Sequence, residues 1–305
     1  MSQASAAYVA IDWGTSSFRS WLMSDNGTPL AESRGNEGML HCGTAGFEPV
    51  LRQHLSVLGA SADLPVLICG MAGARQGWVE APYLYTPTRL DGLHKGAVSV
   101  PTAGDVRILP GIAHAQPDCP DVMRGEETQL LGVTDEAFSG LVCIPGTHSK
   151  WVHIEAGRVV SFSTYMTGEL FSTLSQHSIL MHAVESDSPT DFQTLQHGLN
   201  TALSAPSGLT TSLFRLRASQ LLGFAQRADG AAHLSGLLIG TELADVLRQH
   251  GTTHPVRLIA AGSLGTLYAS ALALAGFNVS TVDAEQASRD GLRKAAAHLW
   301  GFHYA

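Results

Sequence analysis

Charged side chains are scarce. Asp, Glu, Lys and Arg make up 14% of the 305 residues, and 18 basic residues face 26 acidic ones, a net charge of −8. That balance argues against nucleic-acid binding, which normally needs a basic face. It leaves phosphate ligands open, because backbone N–H groups or a metal ion can hold them. Cysteine is rare as well. Cys42, Cys69, Cys119 and Cys143 lie far apart, with no C-x-x-C pair and no His at ligand spacing, which speaks against zinc and for buried thiols in a reducing cytoplasm. Met1–Ala10 lacks the basic start of a secretory leader, and Asp12 interrupts the apolar stretch that follows. A long uncharged stretch, Leu258–Val279, could span a membrane by length. Its Gly, Ala, Ser and Thr content divides it instead into a strand, a glycine turn and a helix. Neither a G-x-x-x-x-G-K-S/T phosphate loop nor a G-x-G-x-x-G dinucleotide fingerprint occurs.

Hydrophobic residues are plentiful at 45%, glycine numbers 32, and the length suits two domains. The opening predicts a β-meander: strands at Tyr8–Ile11, Phe18–Met23 and Thr28–Ser33, with a polar turn at Asp12–Ser17 and a hairpin at Asp25-Asn26-Gly27. The same pattern returns at Leu141–Ile144, Lys150–Ile154 and Arg158–Ser163. Gly14, Thr15 and Ser17 recur there as Gly146, Thr147 and Ser149. A repeated supersecondary unit predicts two similar domains, over 1–135 and 136–305, the last helix able to pack back on the first domain. Helices are expected at Phe47–Leu58, Val122–Val133, Gly168–Val184, Ser212–Ala228, Leu234–Gln249, Gly265–Ala275 and Ala284–Leu299. Further strands are expected at Val66–Cys69, Leu258–Ala261 and Asn278–Val282. Strands interleaved with helices make an α/β protein.

A strand ending in Asp, followed by a Gly-bearing hydroxyl turn, suits phosphate and metal binding. Gly14 lets the backbone approach an anion, and Thr15, Ser16 and Ser17 can donate to it. Asp12 offers a hard oxygen to Mg²⁺ through water. An ordinary Asp-Gly turn is the alternative for one such segment. The second copy, with Gly146, Thr147, His148 and Ser149, favours two turns facing each other across the β- and γ-phosphates of a nucleotide. Gly262, Ser263 and Gly265 follow a strand and open a helix, where small residues let a flat adenine approach; a tight strand–helix turn explains them equally well.

Together these features resemble the sugar kinase, heat-shock chaperone and actin superfamily. More narrowly, the chain resembles the 2-dehydro-3-deoxygalactonokinase family. The stretches that carry this are 9–16 (Val9 to Ser16), 70–78 (Gly70 to Trp78), 121–129 (Asp121 to Gln129), 145–151 (Pro145 to Trp151) and 166–171 (Met166 to Phe171). The C-terminal third adds the adenosine-type loop and Gly240-Thr241-Glu242. The resemblance implies two actin-like, ribonuclease H-like domains with a nucleotide cleft between them. It also implies ATP-dependent phosphorylation of 2-dehydro-3-deoxy-D-galactonate at its 6-hydroxyl, with ATP and Mg²⁺ as cofactors.

A sugar-acid kinase needs a cation for the substrate carboxylate, and Arg is the best fork for it. Arg75, flanked by Gln76 and Trp78, and Arg124 are the candidates; each could instead serve in an ion pair. An acid near the acceptor hydroxyl is also needed. In the superfamily it precedes the second phosphate meander at a helix start. Glu126 and Glu127 stand there, where Asp is the commoner residue, and Glu127 is favoured as base with Glu126 as helper. Lys150 could stabilise transition-state charge or be a solvated strand residue. The expected partner is a small sugar acid, with neither nucleic acid nor membrane, and a homodimer stays open. The rivals are a kinase for another sugar or sugar acid and a nucleotide-switched binding protein, for whose extra domain 305 residues leave little room.

Overall fold

The apolar run around Tyr8–Ile11 forms the central strand of the first sheet in the computed structural model, which describes residues 5–42, 46–185 and 191–302. In chain order the strands and helices are β1 (Ala6–Trp13), β2 (Phe18–Ser24), β3 (Pro29–Gly35), α1 (Phe47–Leu58), β4 (Val66–Gly70), β5 (Tyr83–Tyr85), β6 (Thr88–Arg89), β7 (Val98–Ser99), β8 (Val106–Ile108), β9 (Gly111–His114), β10 (Asp121–Met123) and α2 (Glu126–Val133). There follow β11 (Gly140–Ile144), β12 (Ser149–Glu155), β13 (Arg158–Tyr165), α3 (Thr167–His177), α4 (Phe192–Ser204), α5 (Leu209–Leu221), α6 (Gly230–His250), β14 (Val256–Ala260), α7 (Gly262–Leu274), β15 (Val279–Asp283) and α8 (Ala284–Trp300).

The chain forms two compact units. One comprises Met1–Ser139, His153–Phe162 and Val282–Ala305; the other comprises Gly140–Val152 and Ser163–Thr281. In the first, strands run in the order β3-β2-β1-β4-β8-β7. The meander β1–β3 is antiparallel, and β4 lies parallel to β1, with Ile11 opposite Ile68. Ile11, Trp13, Phe18, Leu51 and Ile68 fill its core. Helix α8 packs against α2 and β1. In the second unit the order is β15-β14-β11-β12-β13. It repeats the first arrangement, with β14 parallel to β11. Its core gathers Leu141, Cys143, Trp151, Leu243, Leu258 and Tyr268. The repeat read from the two turns is thus a repeat of the sheet itself.

Several expected elements differ. The helix expected over Val122–Val133 begins only at Glu126, because Asp121–Met123 pairs with β9 and Gly125 turns the chain at a φ of 107°, a conformation that favours glycine. The helix expected over Gly168–Val184 ends at His177. The Ser178 hydroxyl bonds back to the Leu174 carbonyl, and a short 3₁₀ turn, Ile179–His182, follows. The helix expected over Ser212–Ala228 starts earlier and stops at Leu221. The expectation missed α4, although Asp191 caps it by accepting from the Gln193 and Thr194 amides. It also missed the short strands β5–β10, whose two to four residues are too few to show a period. Leu258–Val279 divides into the end of β14, α7 and the start of β15. Among the described residues no helix is long and apolar enough to cross a membrane.

Candidate active site

In the first unit, alternation along β1 sends Ile11 and Trp13 into the core and Asp12 to the opposite side, where its Oδ2 accepts the Ser288 hydroxyl of α8 at 3.1 Å. Burial raises the Asp12 pKa, opposed by the charge of Arg19. The turn beyond it closes through Gly14 N–H donating to the Ser17 carbonyl at 2.9 Å. The Gly14 and Thr15 carbonyls accept from Met39 and Leu40 at 2.9 and 3.0 Å. Those bonds point the carbonyls back into the protein and leave Thr15 and Ser16 exposed at the tip, with Ser17 half-buried.

The ends of β1 and β4 and the start of α2 converge. A Cβ on Gly70 would lie 2.6 Å from the Trp13 carbonyl oxygen, and one on Gly125 would lie 3.4 Å from the Gly70 Cα. Glu127 is completely buried there. Its two carboxylate oxygens accept the Gly125 N–H at 2.9 and 2.8 Å, and the Thr128 hydroxyl donates to one of them at 3.2 Å. Burial, then the neighbouring Glu126 charge, push its pKa up to about 8. Cys69, between the charges of Asp12 and Glu127, is held well above the ordinary thiol value, chiefly by burial. Glu126 accepts the Arg124 N–H at 3.1 Å.

The Arg124 guanidinium donates through Nη2 to the Ala81 carbonyl at 2.8 Å and lies 4.4 Å over the Tyr83 ring. Its Nε and Nη1 are buried without a hydrogen-bond partner, so a cation stands with unused donors beside Glu127. Arg75 is exposed and 3.7 Å from Glu80, and Gln76 is exposed. Trp78 packs against the core, its ring stacked on Phe47 at 6.0 Å. The structure therefore gathers Asp12, Glu127 and Arg124 and leaves Arg75 and Gln76 at the surface.

In the second unit, Gly146, Thr147 and His148 form the corresponding turn. The Thr147 carbonyl accepts the Glu169 N–H at 2.9 Å, and His148 Nε2 pairs with Glu169 Oε2 at 2.5 Å on the surface. Ser149 is buried and gives its hydroxyl proton to Glu242 Oε1 at 2.9 Å. Lys150, expected either near the phosphates or in solvent, is buried on the other face of β12, and its ammonium donates to the Thr164 hydroxyl at 2.9 Å.

Next to this turn lies a cavity of about 540 Å³, lined by Gly146, Thr167 and Gly168, by the apolar side chains of Phe171, Phe192, Leu238 and Leu264, and by Ser263 and Tyr268. Ser263 and Leu264 belong to the first turn of α7, whose N-cap Ala261 contributes no side-chain bond. Gly265 lets that turn close on Ala260, where a Cβ would come within 3.3 Å of the Ala260 Cβ. A mostly apolar cavity of this volume with a few hydroxyls suits a small flat ligand. It joins two segments read separately from the sequence, the Gly146 turn and the Gly262–Gly265 loop. Phe171, Phe192 and Glu242 were not singled out as site residues. Glu242 carried the clearest signal, a carboxylate inside the apolar run Leu237–Leu243.

Gly168 is the tightest glycine lining this cavity: a Cβ there would collide with the Gly146 carbonyl. Gly168→Ala is expected to displace the turn and destabilise the protein by about 1–3 kcal/mol, as overpacking does, which thermal melts check.

Two sheets of one strand order, each with a Gly-Thr-x-Ser turn between the first two strands of its meander, are the architecture of the actin-like ATPase fold. The activator of 2-hydroxyisocaproyl-CoA dehydratase from Clostridium difficile, with bound ADPNP, has this fold at a TM-score of 0.51 and 11% identity, covering 98% of each chain. A crystal structure from Sinorhizobium meliloti, assigned to the 2-dehydro-3-deoxygalactonokinases, superposes at a TM-score of 0.93 with 49% identity, covering 96% of this chain and 99% of that one. A profile of the 2-keto-3-deoxy-galactonokinase family matches residues 12–295, and the chain belongs to that family. Its relatives include the Rhizobium meliloti (strain 1021) protein named "Probable 2-dehydro-3-deoxygalactonokinase DgoK1", 48% identical over 96% of this chain and 97% of that protein. The Escherichia coli (strain K12) 2-dehydro-3-deoxygalactonokinase is 35% identical over 95% and 98%.

Proposed function

We propose that this kinase transfers the terminal phosphoryl group of ATP to the 6-hydroxyl of 2-dehydro-3-deoxy-D-galactonate, releasing ADP. The observation that carries the reading is the half-buried Arg124, whose Nε and Nη1 are buried and unpartnered, beside the buried Glu127, a carboxylate-gripping cation next to an acid. Arg124 holds the substrate carboxylate and so orients the far hydroxyl. Ionised Glu127 takes that hydroxyl's proton as its oxygen bonds to phosphorus and the bond to the ADP oxygen breaks. Within its own unit, each turn, Gly14 to Ser16 and Gly146 to Thr147, offers the backbone and hydroxyl groups that bind phosphate. The cavity beside Ser263 and Leu264 takes the adenosine.

Among the described residues no group of three or more His, Cys, Asp or Glu could hold a metal ion by itself. The hard carboxylate oxygens of Asp12 fit a hydrated Mg²⁺ that arrives with the nucleotide. When bound, Mg²⁺ neutralises phosphate charge. We assign these roles to the two compact units, Met1–Ser139 with His153–Phe162 and Val282–Ala305, and Gly140–Val152 with Ser163–Thr281. The buried free thiols Cys42, Cys69 and Cys143 suit a cytoplasmic enzyme.

The test is ADP release over a panel of 2-keto-3-deoxy sugar acids and their neutral analogues. Release that ignores the sugar acid contradicts the reading. Arg124→Lys keeps the charge but loses the planar fork. It is expected to raise the KM for the sugar acid about tenfold, the scale of one charge-assisted hydrogen bond, with the KM for ATP unchanged.

A further inference from the structure

We propose that Glu242 is a positioning residue of the nucleotide half-site: from α6 it ties the second phosphate turn to α3 and α7, two of the helices that wall the nucleoside cavity. Its carboxylate is buried and accepts four hydrogen bonds. Oε1 receives Ser149 Oγ at 2.9 Å and Trp151 Nε1 at 2.7 Å. Oε2 receives Tyr268 OH at 3.0 Å and the Thr167 hydroxyl. An ionised carboxylate only accepts, and four donors use its capacity in full.

The donors come from three elements. Ser149 closes the turn that begins at Gly146. Thr167 opens α3, whose Glu169 N–H holds the Thr147 carbonyl at 2.9 Å. Tyr268 lies on α7 beyond Ser263, and both Thr167 and Tyr268 line the cavity. The turn is therefore fixed at Thr147 by α3 and at Ser149 by Glu242, while Glu242 also fixes α3 and α7. Burial raises the Glu242 pKa, and the four donors oppose that rise. A buried charge held by neutral donors is costly where packing alone is wanted, since apolar side chains of similar volume often serve as well. Here it orients a turn that must meet phosphates without rearranging.

The inference rests on reading the cavity as the nucleoside site. The experiment compares wild type with Glu242→Gln, Glu242→Asp and Tyr268→Phe. It measures steady-state kinetics for both substrates, calorimetric binding of a non-hydrolysable ATP analogue, and thermal melts. In folded Glu242→Gln the KM for ATP is expected to rise at least tenfold, with the KM for the sugar acid within twofold of wild type. Glu242→Asp should fall between the two. Wild-type KM for ATP in a folded Glu242→Gln overturns the proposal, as does an equal rise in both KM values, the mark of general loosening. Should both Glu242 variants fail to fold, Tyr268→Phe decides: about a threefold rise confined to ATP supports the role, and no change overturns it. A wild type that does not bind the analogue overturns the nucleotide reading and the proposal with it.

Discussion

Glu127→Gln is expected to lower kcat by roughly 10²–10⁴-fold, the scale of a lost general base, while leaving ATP binding intact. Gln matches Glu in shape and can still accept the Gly125 N–H, but it cannot take a proton. Glu126→Gln is expected to do less. Successive helical residues point about 100° apart, and the Glu126 side chain is directed to the Arg124 N–H. Single-turnover transfer with both substrates saturating separates the two, and near wild-type rates in both variants would show that neither is the base.

The pKa of Glu127 supplies a second readout. Burial raises it from 4.5 to about 8 in the folded protein, so the proposed base is mostly protonated at neutral pH. The kcat/KM of wild type should therefore rise with pH up to about 8, and the Gln variant should lose that limb. For stability the sign is the reverse. Between pH 4.5 and 8 the folded state holds a proton that the unfolded state has released, so wild-type stability falls as pH rises through this window. Glu127→Gln has no such group, and its Tm relative to wild type should climb across the same window.

Asp12→Asn is expected to cost at least ~10²-fold in kcat, in line with losing one charge-positioning group. The neutral amide keeps the shape and an oxygen for Ser288 but removes the charge proposed to organise Mg²⁺. Folding should change little, because the substitution removes a charge that burial already disfavours. Near-normal turnover at saturating Mg²⁺ would rule out that role for Asp12.

Much of the first Gly-Thr-x-Ser turn was readable before the fold, because strand alternation and such a turn are local properties of the chain. The second copy made it a domain repeat, and the sheets follow with the same strand order. What depends on tertiary packing was not readable. Lys150 alternates with Ser149 and Trp151 along β12, but only the fold shows that both faces of that strand are covered. Nothing local distinguishes Arg75 from Arg124. One meets solvent and Glu80, and the other is drawn under Ala81 and over Tyr83 by the chain reversal at Gly125. The cavity draws its lining from α3, α4, α6 and α7, so no single stretch announces it, and α4 itself was missed.

Phosphorus and carbon NMR of the product from ATP and 2-dehydro-3-deoxy-D-galactonate reads both the hydroxyl and the acceptor. One phosphate ester is expected, coupled to C6, formed in equal amount with ADP and not formed at a comparable rate from the neutral analogue. ADP released without ester, an ester at another carbon, or equal kcat/KM for acid and neutral analogue would contradict the proposed transfer.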